Sequence, residues 1–130
     1  MLPAAIARWH EFVSSRNAAS LDELLADDVV FHSPVVHTPQ AGRRIVTKYL
    51  TTAMDVLGNP SFRYVREVLG ERDAVLEFVV EIEGIVMNGV DIIAWNADER
   101  IVEFKVMIRP LKAIQLIHRK MAEALGMPPA

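Results

Sequence analysis

Asp91 is the side chain of this sequence whose setting most invites chemistry. It sits in Gly89-Val90-Asp91-Ile92-Ile93-Ala94-Trp95, where every near neighbour is apolar or small. Side chains alternate along a strand, so Asp91 shares a face with Ile93 and Trp95. If that face is concave and dry, desolvation favours the neutral acid, which turns a carboxyl into a hydrogen-bond donor or general acid. The competing reading is structural: an aspartate at a strand start that bonds a backbone N–H or a basic neighbour.

The other titratable residues have weaker settings. His32 and His37 straddle Pro34, and histidine suits proton transfer near neutral pH. Yet alternation that points Phe31 and Ser33 inward points His32 outward, and His37 lies beyond the proline in an irregular loop. Both are expected at the surface or an interface. No H-x-H or H-E-x-x-H spacing gathers ligands, so no metal is expected. His10 should lie about 100° around a helix from Trp9, facing water or a neighbouring element. His118, beside Ile117, reads as a boundary residue on the last helix. Glu77 and Glu81 fall on the face opposite Phe78, Val80 and Ile82, which argues against a carboxylate pair aimed into a cavity. Arg109 could grip a ligand carboxylate, but its phase matches the outward Lys105 and Met107, so a surface or inter-subunit ion pair is the simpler reading. The absence of cysteine and of a G-x-S-x-G elbow removes thiol and activated-serine nucleophiles. Gly84 and Gly89 are isolated turn glycines rather than a phosphate loop, so no cofactor is expected.

These residues need elements to hold them. Pro3, then Leu2, Ile6, Trp9 and Val13 at helical spacing, predict a helix over roughly 3–17. Ser20-Leu21-Asp22-Glu23 has the form of a capping box for a short helix ending near Ala26. Asp27-Asp28 should break it before a strand over Val29–Ser33, halted by Pro34. A long helix starts near Arg43, with Ile45, Val46, Tyr49, Leu50, Ala53, Val56 and Leu57 as its apolar face, and stops at Gly58-Asn59-Pro60. The period then becomes two, predicting strands over 61–69, 73–83, 89–96 and 100–109 with short connections that favour antiparallel pairing. Pro110 opens a last helix carrying Ile114, Ile117, Met121 and Leu125, before Gly126 and a Pro-Pro tail.

This order predicts a single α+β domain over 1–130: a cone-shaped curved antiparallel sheet, N-terminal helices that enclose a pocket against it, and a C-terminal helix. Trp9, Phe31, Tyr49, Phe78, Ile93, Phe104 and Ile108 are expected to line the cavity, where a small ligand would go. At 130 residues, 52% hydrophobic and 24% charged, the chain can bury a core. A net charge of −3 with no basic cluster beyond Arg43-Arg44 makes nucleic acid an unsuitable partner. No apolar run reaches the roughly 18 residues of a membrane span, and the N-terminus lacks a signal-peptide pattern, so the expected location is the cytoplasm, with no membrane partner.

The chain resembles the nuclear transport factor 2-like superfamily, in its SnoaL-like branch. The resemblance is carried by Leu21-Asp22-Glu23-Leu24-Leu25-Ala26-Asp27-Asp28-Val29-Val30-Phe31-His32-Ser33-Pro34, by Gly42 before the long helix, and by Gly89-Val90-Asp91 through Asp98-Glu99-Arg100-Ile101-Val102-Glu103-Phe104. This superfamily hosts isomerases, cyclases, dehydratases, epoxide hydrolases and binding modules on one scaffold. Its ketosteroid isomerase relatives pair a carboxylate base with a tyrosine and a protonated aspartic acid. Carried over by position, the base falls on Ser33, the tyrosine on Trp9 and the acid on Asp91, so only the acid is retained. A serine has no basicity near pH 7 without its own base, and an indole N–H cannot ionise. The resemblance thus implies a site in which Asp91, Trp9 and Ser33 recognise an oxygen of a small hydrophobic molecule, with Asp91 as acid if there is isomerase, dehydratase or cyclase chemistry. Relatives commonly pair their outer sheet faces. Here Val75, Glu77, Val79 and Glu81 with Lys105, Met107 and Arg109 fit a homodimer. The alternative is a non-catalytic scaffold that uses this outer face to bind a protein.

Overall fold

Period-two patterning after residue 62 produces the wall on which the site is built. The computed structural model describes residues 2–126, and the Pro-Pro tail expected after the last helix lies outside them. In chain order the elements are α1 (Ala4–Ser15), α2 (Ser20–Leu24), β1 (Leu25–His32), β2 (Gln40–Ala41), α3 (Arg43–Leu57), β3 (Arg63–Leu69), β4 (Asp73–Ile82), β5 (Ile85–Trp95), β6 (Ile101–Arg109) and α4 (Leu111–Ala124). The six strands form one sheet in the order β2-β1-β6-β5-β4-β3. The meander β3–β6 is antiparallel throughout, whereas β1 lies parallel to β6, so the sheet is mixed rather than purely antiparallel. A parallel neighbour needs a long crossover, and everything from β2 to β5 supplies it.

Helix α1 buries Ala5, Ile6, Trp9 and Phe12, so its buried face is turned slightly from the expected stripe; Val13 is half-buried and Leu2 is exposed. Each large apolar side chain buried in this way contributes about 1.5–3 kcal/mol, so packing rather than capping holds the helix. The predicted capping box is absent. Ser20 Oγ instead donates to Asn17 O at 2.7 Å, and Asn17 Oδ1 accepts from Ala19 N–H at 3.1 Å, because the preceding turn takes over the local polar groups. Asp27 and Asp28 do not end an element; they lie exposed within β1, whose pairing with β6 shifts register between Leu25 and Val30 and carries the strand through them. β5 begins four residues earlier than expected, because Glu83 and Gly84, at φ 51° and 78°, make a tight reversal straight from β4.

Two apolar clusters lie between the helices and the sheet. One joins α1, α2, β1 and the first part of α3 through residues such as Trp9, Phe12, Leu50 and Phe104. The other joins α4 to the far ends of β4–β6 through Phe78, Val80, Met87, Ile108 and Ile117. Among the described residues, no helix is long and apolar enough to cross a membrane.

Candidate functional site

Between the two clusters lies a cavity of about 340 Å³, at the small end of the range for ligand sites. The sheet contributes Phe31, Phe78, Asp91, Phe104, Val106 and Ile108; α1 contributes Trp9, and α3 and α4 close it from the other side. Gly89 of β5 leaves room for part of this wall, since a Cβ there would lie 2.4 Å from Phe78 Cζ and 2.7 Å from Met107 O.

Asp91 stands near the middle of β5, paired across the sheet with Leu76 and Val106. Among the described residues it is the only polar or charged side chain in the buried class, 6% exposed. Tyr64 of β3 donates from Oη to Asp91 Oδ2 at 2.6 Å, and the indole N–H of Trp9 donates to Tyr64 Oη at 2.9 Å. The three side chains form a directed chain from helix to carboxyl. Burial pushes the Asp91 carboxyl up from its ordinary 3.8 to about 7, against the opposing pull of the Tyr64 hydrogen bond. Burial, and then the neighbouring Asp91, hold the Tyr64 phenol well above its usual range, so it remains a donor. No other side-chain hydrogen bond to Asp91 is present among the described residues, which leaves Oδ1 for the cavity. The neutral form can donate there and the ionised form can accept.

Of the residues expected to line the cavity, Trp9, Phe31, Ser33, Tyr49, Phe78, Asp91, Phe104 and Ile108 do so. Ile93 does not: it shares the inward phase of Asp91 but is wholly buried in the cluster beside α1, beyond the cavity. Trp9 differs in role, because its N–H is committed to Tyr64 and the tryptophan presents its ring to the cavity. Ser33 Oγ accepts from Val35 N–H at 3.1 Å, which leaves its O–H uncommitted. His32 pairs with Glu103 at 3.1 Å, and His10 pairs with Glu67. His37 is exposed in the loop beside a second, shallower cleft that also contains His32 and Lys105. Glu77 contacts Arg66 at 3.3 Å and Asn88 at 3.0 Å, away from the cavity. Arg109 donates from Nε to Asn88 Oδ1 at 2.9 Å, and within one chain it has no ion-pair partner among the described residues. Among the described residues, no group of three or more His, Asp or Glu is arranged to hold a metal.

Two residues of the site were not marked by the sequence. Tyr64 is the Asp91 partner, and its signal was the alternation Phe62-Arg63-Tyr64, which puts two aromatic rings on one face; the two meet edge-on at 5.2 Å. His118, read as a boundary residue, lines the cavity with Ile117, Met121, Ala122 and Leu125.

A model of the SnoaL-like domain matches residues 6–104. The chain belongs to the SnoaL-like family. Among solved structures, this SnoaL-like chain is similar to a steroid delta-isomerase from Pseudomonas aeruginosa, with 35% identity, a TM-score of 0.89, and 95% of this chain and 90% of that one covered. It is similar also to an uncharacterized bacterial protein with a cystatin-like fold from Silicibacter pomeroyi DSS-3, at 30% identity and TM-score 0.89, covering 96% and 87% of the two chains. A putative SnoaL-like polyketide cyclase from Shewanella denitrificans OS-217, at 13% identity, TM-score 0.64 and coverage of 94% of each chain, shares the fold. No curated protein matches the chain in sequence.

Proposed function

We propose that this SnoaL-like protein binds a small hydrophobic molecule through one carbonyl or hydroxyl oxygen, with neutral Asp91 donating to that oxygen. In an isomerase- or dehydratase-type reaction the same proton makes Asp91 the general acid. The observation that carries this reading is a single buried carboxyl opening into a mostly apolar chamber, oriented by Tyr64 and pushed up to about 7 by burial. The 35% identity to a protein named as a steroid delta-isomerase supports an oxygen-bearing hydrophobic ligand. Aromatic rings in the wall suit a flat molecule: Phe31 stacks on Tyr49 at 5.7 Å and Phe62 on Phe78 at 5.3 Å, and all four line the cavity.

The test is a fluorescence titration with 2-naphthol, a flat phenol small enough for the cavity. Saturable binding is expected, weakening as pH rises through about 7, where Asp91 loses its proton. Asp91→Leu should lower affinity about tenfold, the value of one hydrogen bond, while Asp91→Asn, which keeps an N–H donor, should stay within a few-fold. No saturable binding refutes the proposal and leaves the scaffold reading; equal binding by Asp91→Leu refutes the role given to Asp91.

The partner for the outer sheet face is a second copy of this chain. Val86 and Met107 are exposed there, at 55% and 51%. Acidic Glu77 and Glu81 on β4 and basic Lys105 and Arg109 on β6 flank the central β5. A twofold axis over β5 would set acidic strand against basic strand. Sedimentation should give a dimer at micromolar concentration and a monomer for Met107→Glu; a wild-type monomer removes the claim.

A further inference from the structure

We propose that His118 is the proton acceptor of this chamber, working from the helical side on a bound carbonyl compound while Asp91 serves its oxygen from the sheet. The inference rests on the binding role assigned to Asp91 and adds a second catalytic residue to it.

His118 projects from α4 on the face that carries Ile117, Met121 and Leu125 into the cavity. It is half-buried, and among the described residues its imidazole has no hydrogen-bond or ion-pair partner. His10 and His32 are both occupied by carboxylates, and His37 is exposed outside the chamber. The rest of the lining is hydrocarbon, thioether and aromatic ring, apart from the Ser33 hydroxyl and the Tyr49 phenol, and neither a hydroxyl nor a phenol is a base near pH 7. Imidazole is the side chain best suited to that task. Asp91 lies on the sheet and His118 on a separate layer, so a molecule filling the space between them is bounded by a donor and an acceptor.

The chemistry this permits is enolisation. The imidazole nitrogen takes a proton from the carbon beside the carbonyl, and the C–H electron pair becomes the C=C bond. The carbonyl π pair moves to oxygen, which receives the Asp91 proton. Imidazolium and carboxylate remain, and the reverse transfer restores both groups. Protonation at a different carbon yields an isomer, and no oxidant, metal or co-reactant is consumed.

The experiment follows the exchange of the protons beside the carbonyl of 2-tetralone for deuterium, by NMR in D₂O, with 2-naphthol affinity measured in parallel. Wild type should accelerate exchange over buffer. His118→Asn and His118→Gln should lower the protein-catalysed rate by roughly 100-fold or more, the usual worth of a general base, with 2-naphthol affinity retained. Added imidazole should restore part of the rate in His118→Ala. Exchange that is unchanged in the His118 variants, or not accelerated by wild type although 2-naphthol binds, overturns the role of His118 and leaves the binding role of Asp91 intact. Failure of 2-naphthol to bind wild type overturns both.

Discussion

Replacing Asp91 by Asn should make the protein more stable at pH 8 and leave its stability unchanged at pH 4. In the folded chain the carboxyl is pushed up to about 7, against an ordinary value of 3.8. Between those values the folded state holds a proton that the unfolded chain has released. Stability then falls with rising pH by about 1.4 kcal/mol per pH unit for this one group. It is complete below the unfolded pKa and fully lost above about 7. A shift of about three units corresponds to about 4 kcal/mol, a large part of the roughly 5–15 kcal/mol that holds a domain of this size. Asparagine keeps the size, and its amide oxygen still accepts from Tyr64, but it cannot ionise. The assay is urea unfolding of both proteins from pH 4 to pH 9. The stability difference, Asp91→Asn minus wild type, cancels every other titrating group. It should stay near zero at pH 4, climb between pH 4 and pH 7, and level off at several kcal/mol. A flat difference, or a variant that is less stable at pH 8, refutes the claim that burial dominates at Asp91.

Tyr64→Phe removes the hydrogen bond that lowers the Asp91 pKa, so the carboxyl should titrate above about 7; ¹³C NMR of the Asp91 carboxyl would show a downward shift if the reasoning is wrong. The same variant strands the Trp9 indole N–H, which should cost about 1–3 kcal/mol in urea unfolding at pH 5. Gly89→Ala places a methyl group 2.4 Å from Phe78 Cζ and 2.7 Å from a backbone oxygen, and should destabilise by about 1–3 kcal/mol; a neutral result would mean the strand yields more freely than its pairing on both sides implies.

Helices α1, α3 and α4 were legible because each carries an apolar stripe at helical spacing, and β3–β6 because their alternation survives in the residues themselves. The ends of β1 were not. Nothing local marks Asp27 and Asp28 as extended; they bridge the two places, at Leu25 and from Val30 onward, where β1 pairs with β6, which lies far along the chain. The capping box failed for a related reason, since Asn17 offered Ser20 a nearer acceptor. Asp91 was readable from its apolar neighbours. Tyr64 was harder, because a register shift between Tyr64 and Arg66 interrupts the alternation just where it would have been noticed. Phase along a strand separates inside from outside but not cavity from solid core, which is why Ile93 was placed with the lining. His118 shows the same limit on a helix: a residue at the margin of an apolar stripe faces the chamber because α4 forms part of its wall.

The hydrogen bond from Trp9 to Tyr64 equips the molecule with its own optical gauge. The chain has two tryptophans. Trp9 borders the chamber and touches the carboxyl through one phenol, whereas Trp95 is packed into the core away from it. Emission from Trp9 should therefore respond both to the arrival of a guest and to the departure of the Asp91 proton, and Trp95→Phe would remove the background from the second tryptophan, so that occupancy could be followed without labelling either partner.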